Sequence, residues 1–172
     1  MRIIVFTILM FTAMQSFAQE AYNVLKDKET GQQIFKGPLV FRDLDFEPSF
    51  TWMGESKSYK PNAEAVAYLK EYLPQYHMVV FLGTWCDDSH NIIPKLYKVL
   101  QDVKYPMNKY SMYGVDREKK SKSGEEMLYH IVNVPTIILY KDNREVGRIV
   151  ETLKKNVETD LENIIKADKS KL

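Results

Sequence analysis

The sequence predicts an α/β domain in which a central sheet of mixed strand direction is flanked by helices and preceded by an N-terminal extension. Three observations carry this. Residues 78–82 (Met-Val-Val-Phe-Leu) form an unbroken apolar run of strand length, as expected of a strand buried on both faces. Ile92, Ile93, Leu96, Val99, Leu100 and Val103 then recur at helical spacing. Near the C-terminus, Asp142-Asn143 separates two strand-like segments and predicts a tight hairpin. Helical crossovers make parallel strand pairs and the hairpin makes an antiparallel one, so the sheet is mixed.

The elements follow in order. Residues 1–18 read as a secretory signal: Arg2 gives a minimal positive end, residues 3–14 are apolar, and Gln15-Ser16-Phe17-Ala18 offers small residues for cleavage after Ala18. The alternative, an uncleaved anchor, is disfavoured because the run is shorter than the ~20 residues that span a bilayer. Residues 22–25 and 32–35 read as short strands around the turn Lys28-Glu29-Thr30-Gly31. Residues 37–59, rich in aromatics (Phe41, Phe46, Phe50, Trp52), read as loop and short helix. Pro61-Asn62 starts a helix to about Leu73, with Ala65, Val66, Leu69 and Tyr72 on one face. After the apolar strand comes a helix over 87–103, then a strand over 110–115. A polar loop leads to a short helix over 125–130. Strands over 136–140 and 145–150 and a helix over 157–165 close the chain. Residues 19–74 are thus an extension packing on a main domain of 75–172.

The charge excludes some functions. The chain has 24 Lys and Arg against 23 Asp and Glu. Losing Arg2 with the signal leaves 23 against 23, so neither nucleic acid nor an anionic membrane is an expected partner. Lys119-Lys120-Ser121-Lys122 reads as a solvated loop.

The single cysteine, Cys86, is informative because exported domains usually carry paired cysteines. A lone one is a reactive thiol, an intermolecular link or an inert buried residue. Cys86 lies in Thr84-Trp85-Cys86-Asp87-Asp88-Ser89-His90, between a buried strand and an amphipathic helix. Unpaired backbone N–H groups and the helix dipole favour the thiolate there, while Asp87 and Asp88 oppose it. The polar run argues against an inert core role. Ser89 either donates a hydrogen bond to the Cys86 sulfur or caps the helix. Cys86 and His90 could also share a face toward a metal ion beside Asp87 or Asp88. With no second ligand cluster, neither a metal nor a cofactor is expected.

Four features make residues 76–172 resemble the thioredoxin family. They are Trp85 before Cys86, Pro94 within the following helix, Val134-Pro135-Thr136 before the third strand of the main domain, and the closing hairpin and helix. The resemblance implies the thioredoxin fold, a cis bond at Pro135 beside Cys86, a shielding role for Trp85, and a Val134 backbone free to pair with an extended substrate. The family site is Cys-x-x-Cys. Here Ser89 replaces the second cysteine, and Val80 stands where the family buries an acid. Cys86 could then capture a disulfide, but serine cannot release it. Cys86 and Ser89 are the candidate catalytic residues, with Trp85, Val134 and Pro135 as substrate contacts. The expected partners are exported proteins bearing disulfides or thiols, in the periplasm rather than outside the cell. A disulfide-linked homodimer is a variant of the same chemistry, and a non-catalytic protein-binding module is the alternative.

Overall fold

The computed structural model describes residues 21–171. The segment read as a signal peptide lies outside them. Among the described residues no helix is long and apolar enough to cross a membrane.

Strands β1 (Asn23–Lys26), β2 (Gln33–Leu39), β3 (His77–Leu82), β4 (Tyr110–Gly114), β5 (Thr136–Lys141) and β6 (Arg144–Val150) form a six-stranded sheet in the order β1-β2-β4-β3-β5-β6. β3 and β4 run parallel across a helical crossover, and every other pair is antiparallel. The expected mixed α/β sheet is therefore present. The helices are α1 (Phe41–Asp45), α2 (Glu55–Ser58), α3 (Ala63–Tyr72), α4 (Asp87–Asp102), α5 (Glu125–Leu128) and α6 (Val157–Lys169).

Local chemistry sets the boundaries. Asn62 Oδ1 accepts the Ala65 N–H at 2.9 Å and Asn156 Oδ1 accepts the Thr159 N–H at 3.0 Å, so an asparagine caps both α3 and α6. Asp142 and Asn143 have φ of 51° and 60°, the backbone that a two-residue hairpin demands. β3 is buried from Met78 to Leu82, in agreement with its apolar run.

Two segments differ from the sequence reading. β2 continues through Gly37 and Pro38 to Leu39, and Gly37-Pro38-Leu39 pair with Gly114-Tyr113-Met112 of β4. The β1 ladder ends at Lys36, so among the described residues Pro38 has no ladder partner on that side and its missing N–H is tolerated. The basic loop is also pinned: Ser121 is buried, and its hydroxyl and N–H both donate to Glu126, at 2.6 and 3.0 Å.

The two faces of the sheet are clothed unequally. Met78, Val80, Leu82, Met112, Ile137 and Leu139 meet the main core, which draws on α1, α3, α4 and α6. Val79, Phe81 and Ile138 face a smaller cluster completed by Val115 and Val134, with Trp85, Tyr129 and Ile131 against it. Among the described residues, α5 is a single turn on that face, and its flanking loops and Trp85 supply the rest of the cluster.

Buried polar groups tie α6 to distant segments. Glu158 accepts the Tyr59 hydroxyl at 2.9 Å and the Asn62 N–H at 2.8 Å. Asp168 accepts from Arg144 Nη2 at 2.6 Å and from the Tyr76 hydroxyl at 3.0 Å. The Arg144 hydrogen bond holds Asp168 below the usual carboxylate range, and burial followed by Asp168 itself pushes Tyr76 up to about 12. A carboxylate lowered by folding stabilises the protein above its unfolded value near ~3.9, and that contribution disappears as pH falls through the lower folded value. Asp168→Asn should lower stability at pH 7 by about 1–3 kcal/mol. It should also flatten the acid limb of the stability profile below about pH 4. Urea unfolding at pH 7 and pH 3 measures both, and an unchanged acid slope would count against the network.

Candidate functional site

The site forms where β3 ends and α4 begins. Cys86 is the residue that caps α4 by backbone: its φ and ψ of −102° and 123° are extended, and its carbonyl accepts the His90 N–H at 3.0 Å. It makes no side-chain cap bond, which leaves its sulfur available. Cys86 is partly exposed, and its Sγ donates to the Val134 carbonyl at 3.3 Å. The Val134-Pro135 peptide is cis, as the resemblance implied. Chain segments 48 residues apart are thus brought together around one sulfur. Val134 is itself buried, and its N–H has no partner among the described residues.

Trp85 closes one side. Its Nε1 donates to the Val115 carbonyl at 2.9 Å, and the Arg117 guanidinium stands 5.2 Å from the ring centre. Arg117 is anchored by Asp27 at 2.6 Å and Glu29 at 3.5 Å, so the turn between β1 and β2 supports the indole. Gly83 is obligatory beneath the ring, since a Cβ there would lie 2.7 Å from it.

Ser89 takes neither of the two roles read from the sequence. It is fully buried, and its Oγ accepts the Gly83 N–H at 3.2 Å. That bond ties the first turn of α4 to the end of β3 and so positions Cys86. Asp87 and Asp88 lie in the same turn. Val80, in the place of the family acid, is fully buried.

His90, read as a metal candidate with Cys86, is otherwise engaged. Its Nε2 lies 2.8 Å from the Thr84 carbonyl, its Nδ1 is 3.7 Å from Asp87, and its ring stacks on Trp52 at 4.6 Å. A carbonyl only accepts, so Nε2 carries a proton. Among the described residues no three His, Cys, Asp or Glu side chains converge on a metal-sized site.

Sequence reasoning missed Thr84 and Trp52. Thr84 Oγ1 donates to the Gln33 carbonyl at 2.9 Å and accepts the Phe35 N–H at 3.1 Å, clasping β2 to the site loop. Trp52, Gln33, Thr84 and His90 then wall a cleft of about 300 Å³ beside the start of α4. The aromatic run of residues 41–52 was the available signal, but periodicity could not direct Trp52 toward His90.

The family model described as Thioredoxin matches residues 51–167. The chain belongs to the thioredoxin family. The match begins at residue 51, ahead of residue 76, and so spans Trp52 and α3. A thioredoxin from Chlamydia pneumoniae is 28% identical over 86 residues, which is 50% of this chain and 78% of its own length. Among solved structures, a Schistosoma mansoni thioredoxin pre-protein is 27% identical, covers 63% of this chain and 92% of its own, and has a TM-score of 0.38. A Pseudomonas aeruginosa protein of unknown function is 11% identical, covers 70% and 81%, and has a TM-score of 0.49.

Proposed function

We propose that this thioredoxin-family protein acts on exported proteins by monothiol disulfide exchange, forming a mixed disulfide through Cys86. One observation carries the reading: a partly exposed Cys86 at the start of α4, its sulfur 3.3 Å from the carbonyl of Val134, a residue whose N–H is unpartnered among the described residues. An extended client segment can use that N–H and carbonyl as a strand partner, which places its disulfide over the sulfur.

The exchange balances without a cofactor. The Cys86 thiolate attacks one client sulfur, a new S–S bond forms, and the second client sulfur leaves as a thiolate that takes a proton from solvent. Ser89 cannot displace the adduct. Release requires either an external thiol, which leaves joined to the client sulfur, or another thiol of the client, which attacks the adduct, closes a different client disulfide and returns Cys86 as a thiol. The second route makes the protein isomerase-like. Export and the periplasm belong to this proposal and rest on the signal-like residues 1–18.

The test uses the purified chain and a fluorescein-labelled peptide containing one disulfide. A covalent adduct of one peptide per chain should form and be released by dithiothreitol, and Cys86→Ser should form none. Peptide binding of equal strength by wild type and Cys86→Ser, without any adduct, would leave a non-covalent binding module instead.

A further inference from the structure

The unequally clothed sheet leaves a cavity far from Cys86. β3 runs from His77 at one end to Leu82 at the other, about 17–20 Å, and Cys86 follows the Leu82 end. At the His77 end a recess of about 430 Å³ opens on the face that α5 covers so briefly. A volume of this order suits a small organic molecule.

Its lining combines aromatic walls with a cationic rim. Val79 forms the floor, and Tyr129 and Tyr140 stand edge to face with ring centres 6.0 Å apart. Tyr129 is braced from behind, by Phe81 at 5.6 Å and by Arg148, which donates to the Tyr129 carbonyl at 3.2 Å. Lys109 and Lys141 supply two ammonium groups at the rim. Lys109 Nζ donates once, to the Pro74 carbonyl at 2.6 Å, which fixes the charge while leaving two donors. Lys141 stands 5.3 Å over the Tyr76 ring, with no carboxylate in ion-pair range among the described residues. His77 contributes an imidazole 3.3 Å from Ser111 Oγ. Asp142 is the one acid of the lining and sits on the exposed hairpin turn.

From this arrangement we infer that the recess is a binding site for a small aromatic anion, its ring against Tyr129 and Tyr140 and its acid group on Lys109 and Lys141. Tyrosine faces and edges accept a planar ring with defined geometry. Two ammonium groups favour a carboxylate or sulfonate over a neutral molecule of the same shape. The recess opens at the His77 end of β3, while Cys86 follows the Leu82 end; Val79, Tyr129 and Tyr140 share one apolar cluster with Val134 and Trp85, so the two sites adjoin the same face of the sheet.

The probe is 8-anilino-1-naphthalenesulfonate, titrated by fluorescence into the full chain, with its uncharged relative N-phenyl-1-naphthylamine as control. Saturable binding of one sulfonate per chain is expected, and the neutral compound should bind about tenfold more weakly or worse. The double variant Lys109→Gln/Lys141→Gln should lose about tenfold or more in affinity. The single variant Lys141→Gln, which leaves the Lys109 to Pro74 bond intact, should lose part of it. Lys141→Gln should keep the wild-type melting temperature, the double variant should melt a few degrees lower for the lost Lys109 to Pro74 bond yet stay folded at the assay temperature, and both should keep the wild-type rate of Cys86 labelling by iodoacetamide. Amide shifts on binding should centre on His77, Tyr129, Tyr140 and Lys141. Non-saturable binding, equal affinity for the neutral compound, affinity unchanged in the folded variants, or shifts centred elsewhere would each overturn the site.

Discussion

Replacing Ser89 with cysteine should shorten the life of a Cys86 mixed disulfide by about 100-fold or more relative to release by a millimolar external thiol. The two residues are three apart at the start of α4, where Cβ atoms lie about 5–6 Å from each other and a modest adjustment brings two sulfurs within disulfide reach. A thiol fixed at that distance attacks as an intramolecular reactant, and the client leaves reduced as the introduced sulfur bonds to that of Cys86. The introduced sulfur must turn away from Gly83, whose N–H now rests on Ser89 Oγ at 3.2 Å. Losing that acceptor should cost about 1–2 kcal/mol, seen as a melting temperature several degrees lower. No acid neighbours the new thiol from position 80, because Val80 is buried and apolar. The release rate should therefore keep climbing toward the ordinary thiol range near ~8.5 rather than level off near neutrality. The measurement is adduct decay by non-reducing gel, from pH 6 to 9. Decay as slow as wild type would mean that residue 89 cannot reach the adduct, and the positioning role given to Ser89 would fall with it.

The largest stability loss is expected at Gly114, the last residue of β4. A Cβ there would lie 2.0 Å from the Phe35 carbonyl oxygen and 2.9 Å from Leu39 Cδ1. The Leu39 methyl can move. The Phe35 oxygen cannot, because it belongs to β2, which is bound on one side to β1 and beyond Lys36 to β4. Gly114 faces Gly37 in that ladder, so two strands approach where neither carries a side chain. Gly114→Ala must open the β2–β4 ladder, at a cost of about 3 kcal/mol or more and a melting temperature lower by about 6–12 °C. Gly54→Ala is the matched control. Its Cβ would meet nothing within 4 Å, and its φ and ψ of −59° and −22° are helical. That substitution should raise stability by about 0.4–1 kcal/mol. Calorimetry on both variants decides the matter, and a Gly114→Ala protein as stable as wild type would remove the β2–β4 junction from this account.

The contrast between these residues also explains what could be read before the structure. The β3 run, the α4 periodicity and the Asp142-Asn143 hairpin were legible because each depends on side chains adjacent in sequence or one helical turn apart. The juxtaposition of Trp85, Cys86 and Pro135 was legible only through family resemblance, since no local pattern reports contacts 48 residues apart. The course of β2 was hidden by Gly37-Pro38, which argues against a strand unless a neighbouring ladder is known to stop at Lys36. Ser89 was misread for a related reason. Its acceptor role depends on Gly83, a residue whose N–H is freed only by the way β3 ends.

The carboxylates of α6 also have a bearing on the order in which the molecule is completed. Tyr59, Asn62 and Tyr76 find their partners 99, 96 and 92 positions further along the chain. A growing polypeptide therefore holds those groups unsatisfied until its final thirteen-residue helix arrives. Closing loops of that size is slow, so assembly should end with one late docking event. Shortening the chain before Glu158 should yield a loosened core instead of a smaller stable protein.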